Sequence, residues 1–113
     1  MKFERRKREL EKQEAENRVS MSCVLAARAR VLEEQGVQVR LFLEGKSRRG
    51  LVFVPAVLRG ELAERVKERA SSWQEGEEFF VEGELDWESS RRSGEWRYQL
   101  ILAVSRIQKL EAL

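Results

Sequence analysis

The chain has 113 residues and a hydrophobic fraction of 42%, enough for one domain with one core, and its lone cysteine excludes an internal disulfide. The 22 basic and 20 acidic residues give a net charge of +2, so any nucleic-acid affinity depends on where the bases lie. With no histidine, no metal-ligand cluster and no phosphate-binding glycine loop, we expect no enzyme, metal or cofactor. No apolar run approaches the ~18 residues of a membrane span, and the N-terminus is charged, so we expect a cytoplasmic protein.

Residues 1–16 predict a charged helical extension ahead of the domain. They hold six bases and five acids and lack Gly and Pro, while only Phe3 and Leu10 are large and apolar. Two such side chains are too few to bury a helix firmly. The basic run Arg5–Arg8 gives an alternative, a nucleic-acid-binding arm, against which the interleaved glutamates argue. The domain itself is expected to comprise residues 17–113.

Apolar runs in the first half of that domain predict three strands. The first runs from Arg18 to Leu32 and the second covers residues 37–44, and both begin with clear alternation of apolar and polar residues. A glycine-bounded basic loop at residues 45–50 follows. The third strand, residues 51–58, is apolar on both faces, which predicts a buried strand with Pro55 at an edge or bulge.

One helix and two more strands complete the predicted order. Apolar residues at spacings of three and four predict a helix over residues 60–73. The fourth strand, 79–86, contains Gly83, which indicates a bulge or a close backbone approach. A polar hairpin loop at 88–94 leads into the fifth strand, 96–104. An all-β chain with one helix between its third and fourth strands is typical of the OB-fold, a five-stranded Greek-key barrel.

Two segments in this order resemble the bacterial single-stranded-DNA-binding protein family. Leu62-Ala63-Glu64 follows the third strand as in the family's strand-to-helix segment, and residues 76–85 are similar to its fourth strand, Gly-x-x-Val-x-Val-Glu-Gly-x-Leu. The resemblance covers about residues 17–110. It implies an OB-fold, single-stranded DNA as the ligand and a homodimer or homotetramer built through the first strand.

Departures from the family pattern indicate a specialised relative. Arg59 stands where the family has an aromatic residue, and the fourth strand carries Glu82, Glu84 and Asp86 on a face that is basic or neutral in the family. We do not expect the partner recruitment that the family's long tail with an acidic tip provides. A short relative similar to the primosomal replication protein is therefore an alternative. Those acids repel phosphate unless Arg97 or Arg40 pairs with them across the sheet.

Single-strand binding needs cations that follow the phosphates and aromatic rings on which bases stack. Two basic loops with neighbouring aromatic residues meet this need, and the resemblance places them in the two hairpins that grip the strand. The expected nucleic-acid-binding residues are Arg40, Phe42, Lys46, Arg48, Arg49, Phe53, Trp87, Arg91, Arg92 and Trp96.

Several aromatic residues have alternative interpretations. Phe42 could be a dimer contact, and Phe53 fits the core equally well. Trp87 and Trp96 could stack across the hairpin and pin it. The remaining large aromatic residues are expected in the core: Trp73, Phe79 and Tyr98.

Two functions follow from these residues. The first is sequence-tolerant binding of single-stranded DNA in replication, repair or recombination at the nucleoid, with RNA as an alternative ligand. The second is an OB-fold interaction subunit of a replication or restart complex, with weak nucleic-acid affinity and replication or repair proteins as partners. The basic loops and tryptophans favour the first function, and the acidic strand favours the second.

Overall fold

The structure, a computed structural model, describes residues 17–111, so the predicted helix at 1–16 lies outside the described residues. Within them the chain forms six strands and one helix. In chain order these are β1 (Val19–Leu25), β2 (Arg30–Leu32), β3 (Gln38–Ser47), β4 (Gly50–Arg59), α1 (Gly60–Ala70), β5 (Glu78–Arg92) and β6 (Glu95–Lys109).

Five of these strands close into a barrel. The strand order is β1-β5-β6-β4-β3, and β1 pairs back onto β3 through Val24↔Glu44 and Leu25↔Leu43. All neighbours are antiparallel except β4 and β6, which run parallel and pair at only two positions. The predicted class, a mostly β chain with one helix and a closed five-stranded barrel, is confirmed.

Helix α1 lies between β4 and β5, after the fourth of six strands in chain order, whereas the prediction placed it after the third of five. The difference in count arises in the first strand. The run predicted as one first strand is interrupted at residues 26–29. There the Ala29 N–H donates to the carbonyl of Trp73, outside the sheet, at 3.3 Å. Pairing with β3 resumes at Arg30↔Arg40, so β1 and β2 lie one after the other along the same neighbour. A backbone N–H that donates to a group outside the sheet does not change the alternation of apolar and polar residues, so the sequence did not reveal this interruption.

Helix α1 packs on the barrel through Ala63, Val66 and Ala70, which are buried. It ends at Ala70, earlier than predicted, and the Ser71 and Ser72 hydroxyls donate to carbonyls of the last turn. The core is built of small and branched apolar side chains, with two aromatic rings at its helix side. These are Trp73 and Phe79, in edge-to-face contact with centroids 4.8 Å apart. Both were expected in the core, and both are buried.

Gly83 is the point where β5 and β6 change register, as predicted. Glu82 pairs with Arg106 but Gly83 pairs with Val104, so Ser105 is the extra residue of a β-bulge. A Cβ atom on Gly83 would overlap the carbonyl of Ala103. Only glycine fits this close approach between the two backbones.

The prediction that β4 is buried on both faces is wrong for its first half. Only Ala56, Val57 and Leu58 are buried, whereas Leu51, Val52 and Phe53 are exposed. The cause is that β6 pairs with β4 only at residues 56–57. Pro55 therefore lies beside an unpaired stretch of edge, where its missing N–H has no cost.

Candidate nucleic-acid interface

The first predicted basic loop is a tight hairpin. Ser47 pairs with Gly50, so only Arg48 and Arg49 form the turn, and most of the predicted loop belongs to strands. The Ser47 hydroxyl donates to the Gly50 carbonyl at 3.1 Å and accepts from the Arg49 N–H at 3.2 Å, which fixes the turn. Lys46, Arg48 and Arg49 are exposed, and within residues 17–111 no carboxylate pairs with them.

Phe42 and Phe53 lie together on the outer surface of the barrel. Their side chains are on the face of β3 and β4 that alternates with the core positions Leu41 and Leu43. The two rings stack with centroids 5.8 Å apart and planes 13° apart, and the residues stay 41% and 50% exposed. Of the two interpretations of Phe53, exposure on this surface is the one the structure shows.

Arg40 lies on the same outer face as Phe42, but a carboxylate already holds it. Its guanidinium donates to both oxygens of Glu88, at 3.0 and 2.5 Å. Arg59 donates to the same carboxylate at 2.8 Å. These contacts raise the pKa of Arg40 and lower the pKa of Glu88. Arg40 is therefore a cation of the predicted site that is neutralised in this structure.

The second predicted basic loop is the distal part of a long β-hairpin. Residues 88–94 were expected to be a loop, but β5 continues to Arg92 and β6 starts at Glu95. Ser93 and Gly94, both with positive φ, form the two-residue turn between them, as type I′ hairpins require. The polar residues suggested a loop because both faces of this distal part meet solvent.

One face of this hairpin is rich in exposed apolar groups. Cross-strand pairs place Trp87 opposite Leu100, Ser89 opposite Tyr98 and Arg91 opposite Trp96, all on the same face. We call this surface, with the neighbouring Leu85, the hairpin aromatic face. Its large side chains are all exposed: Leu85, Trp87, Trp96, Tyr98 and Leu100.

The two hairpin tryptophans do not stack across the hairpin. Trp96 instead lies under the Arg91 guanidinium, whose central carbon is 5.8 Å from the ring centroid. Arg92, next to Arg91, is exposed near the tip on the opposite face of the strand. Trp87 is four residues away from Arg91 along the strand.

Tyr98 was expected in the core, and that prediction is wrong. Tyr98 is 68% exposed. It lies on the part of β6 that precedes the contact of this strand with β4 at residues 102–103, where β6 is no longer part of the barrel wall. Tyr98 is thus an aromatic residue that belongs with the candidate site and was missed. Its position two residues after Trp96, on the same strand face, is the signal that could have identified it.

The predicted pairing of the acidic strand with Arg40 or Arg97 is wrong. Glu82 contacts Arg106 instead, at 3.5 Å, because those two residues are directly opposite each other. Arg97 is opposite Ser90, which is four residues beyond Asp86 on β5, so Arg97 does not lie beside the acids. Within the described part of the chain, Glu84 and Asp86 form no ion pair.

The described residues give no sign of a metal centre or a membrane span. Between residues 17 and 111 no three metal-ligating side chains cluster together. In the same range, no helix has the length and apolar character to cross a bilayer. Burial raises the pKa of the Cys23 thiol to about 11, as expected for a cysteine that behaves as a small apolar residue.

Comparison with solved structures places the barrel among known folds. It superposes on the small single-stranded DNA-binding protein from Streptomyces coelicolor with a TM-score of 0.59 and 18% sequence identity. The match covers 81% of this chain and 92% of that one. The fold is an OB-fold. No family model matches the sequence, and no curated protein matches it.

In an OB-fold, both the Phe42–Phe53 pair and the β5–β6 hairpin occupy positions where ligands bind. OB-folds bind oligonucleotides on the face of their second and third strands and with the loops at its sides. Here β1 and β2 both pair with β3 and together correspond to the first strand of an OB-fold. Strands β3 and β4 therefore correspond to the second and third strands, and their outer face carries the Phe42–Phe53 pair. The distal part of the β5–β6 hairpin takes the position of the loop between the last two barrel strands. The structure thus arranges the predicted residues in two groups, one on the β3–β4 face and one on the hairpin.

Proposed function

We propose that this protein binds single-stranded DNA with little dependence on base sequence and catalyses no reaction. One observation carries the proposal: the exposed, stacked Phe42–Phe53 pair lies on the OB-fold's ligand face, on strands joined by a hairpin with three exposed cations. Aromatic rings accept any base on their faces, and cations attract any phosphate, so the combination binds single strands without reading sequence. A duplex, with its bases stacked internally, offers no such contact.

The hairpin adds a second group of cations and rings. Arg91 and Arg92 add two cations at its tip, and Trp87, Trp96 and Tyr98 add rings along one face. The Streptomyces protein with the same fold is named for binding single-stranded DNA, which supports the same ligand class for this chain. A role in replication, repair or recombination in the cytoplasm, as a homodimer or homotetramer, is the wider context that we propose.

Tryptophan fluorescence provides a direct test. Trp87 and Trp96 are exposed and Trp73 is buried, so bases that stack on the hairpin should quench part of the emission. Labelled poly-dT, a matching duplex and poly-U should be titrated at two salt concentrations. We expect micromolar or tighter binding of poly-dT, much weaker binding of the duplex, and a comparison with poly-U that ranks DNA against RNA. Absence of any poly-dT binding at low salt would contradict the proposal.

The salt dependence adds a quantitative check. Five exposed cations near the two hairpin tips should contact about five phosphates, which predicts a slope of about −3.5 for log K against log salt. These cations are Lys46, Arg48, Arg49, Arg91 and Arg92. A slope close to zero would show that the basic tips do not contact the strand.

A second function is favoured by the hairpin aromatic face. Five large apolar side chains exposed on one surface are typical of a protein interface, and the exposed acids Glu84 and Asp86 lie on the opposite face of the same strand. On this alternative the chain is an interaction subunit of a replication or restart complex. Titration with poly-dT separates the two, because an interaction subunit of this kind is expected to bind single strands weakly or not at all.

A further inference from the structure

The contact between Glu88 and Arg40 requires a hairpin that curves onto the barrel. The row of paired residues that contains Arg40 passes through Val57 and Ala103 and reaches β5 at Glu84. Glu88 lies four residues further along β5, beyond that row. Its side chain meets Arg40 only if the hairpin curves over the outer surface of β4.

Burial on that outer surface supports the same geometry. Val57 and Ile101 both point away from the barrel core, since their strand neighbours Ala56 and Leu102 point into it. Even so, Val57 and Ile101 are almost fully buried. The curved hairpin and the Glu88 ion pairs therefore cover part of the face on which Phe42 is displayed.

The carboxylate of Glu88 occupies the position that a phosphate group would take. It accepts three hydrogen bonds from two guanidinium groups, Nη1 and Nη2 of Arg40 and Nη2 of Arg59. Arginine pairs with carboxylate and with phosphate through the same planar arrangement of donors. Arg40 is two residues before Phe42 on the same face, so a phosphate at Arg40 would belong to a strand whose base reaches that ring.

We propose that Glu88 is an internal competitor of nucleic-acid phosphate: it occupies Arg40 and Arg59, and a strand that reaches Phe42 displaces it and frees the hairpin. The inference rests on the proposed function and adds to it a contact that limits affinity. Its physical basis is that the same donors cannot serve a carboxylate and a phosphate together. Binding therefore includes the cost of breaking the Glu88 contacts.

The decisive experiment compares E88Q with the matched control E84Q. Glu84 is on the same strand and the same face, it is exposed, and it has no ion pair within residues 17–111. Both variants remove one negative charge. We expect E88Q to bind a dT oligonucleotide about tenfold more tightly than wild type at low salt, whereas E84Q gains much less. An equal gain in the two variants would show a general charge effect and overturn the inference.

A thermodynamic cycle identifies the partner. The gain caused by E88Q should disappear in an R40Q background and shrink in an R59Q background, because the freed guanidinium groups are then missing. Arg59 is largely exposed, so R59Q is expected to leave the fold intact. A gain of the same size in all backgrounds would contradict the proposal.

The wild-type protein supplies a readout that does not depend on how a variant folds. The Nη–H resonances of Arg40 should shift when the dT oligonucleotide saturates the protein, since the acceptor of Nη1 and Nη2 changes from carboxylate to phosphate. Unmoved resonances at saturation would overturn displacement of Glu88. If neither wild type nor E88Q binds the oligonucleotide, the proposed function fails and takes this inference with it. If wild type binds and E88Q matches E84Q, only the inference fails.

Discussion

Phe42 and Phe53 meet diagonally across the β3–β4 pair, with ring centroids 5.8 Å apart and nearly parallel planes. In register, Phe42 is opposite Pro55 and Phe53 is opposite Glu44, so neither ring has an aromatic residue directly across from it. Diagonal neighbours on one face are within reach of aromatic side chains. The result is a continuous apolar surface, wider than one ring, on the face of the barrel that OB-folds use for ligands.

Replacing one ring should weaken DNA binding without unfolding the protein. We expect F53A to reduce affinity for poly-dT by about 1–3 kcal/mol, or roughly 5- to 150-fold, because one stacking partner is removed. L51A is the matched control, since Leu51 lies on the same face of β4 and is equally exposed but has no ring. Fluorescence titration measures both. Equal reductions in F53A and L51A would indicate general apolar contact in place of stacking.

The hairpin tip should contribute through charge. The double variant R91E/R92E is expected to weaken poly-dT binding sharply and to reduce the salt slope by about 1.4, because each phosphate that the tip no longer neutralises lowers the slope by ~0.7. R65E/R69E makes the same charge change on the exposed side of α1, away from both hairpins. Titrations at several salt concentrations give the slopes. An unchanged affinity in R91E/R92E would refute the assignment of the hairpin tip.

Much of the fold could be predicted because its signals are local. Alternation located the strands, the spacing of Ala63, Val66 and Ala70 located the helix, and Gly83 marked the bulge. The interrupted first strand could not be predicted, because it depends on a hydrogen bond from Ala29 to the carbonyl of the distant Trp73. Contacts between residues so far apart in the chain have no periodic signature.

The candidate site, too, could be predicted only in part. Residue type and strand parity predicted Phe42 and the basic tips correctly as exposed groups. Tyr98 was assigned to the core because parity alone does not reveal where β6 leaves the barrel. The pairing of Arg40 with Glu88 depends on the bend of the hairpin, which is a property of the assembled barrel. Which cations are free is therefore visible only in three dimensions.

Gly83 should not tolerate a side chain. We expect G83A to lower the free energy of unfolding by about 1–3 kcal/mol or more, because the new methyl group would overlap the backbone carbonyl of Ala103. G45A is the control, since the added methyl group would meet only the flexible end of Met21. Urea denaturation measures both variants. Similar destabilisation of the two would show that rigid backbone contact is not the cause.

Stability should report the Glu88 ion pairs through pH. Hydrogen bonds from Arg40, with a further contribution from Arg59, hold the pKa of Glu88 below its ordinary value of about 4.3. A lowered pKa in the folded state stabilises the protein above the unfolded value, and that contribution disappears as the pH falls through the folded value. Wild type should thus exceed E88Q by about 1–2 kcal/mol at neutral pH.

The difference between the two proteins should shrink as the pH drops below about 4.3, the ordinary pKa that Glu88 has in the unfolded chain, and should vanish once Glu88 is also protonated in the folded protein and resembles the neutral glutamine. Glu77, whose pKa is lowered by Lys109, titrates in the same direction but is present in both proteins, so it cancels in the comparison. Urea denaturation of wild type and E88Q from about pH 7 to about pH 3 measures the difference directly. A difference that stays constant over this range would mean that the charge of Glu88 does not stabilise the bent hairpin.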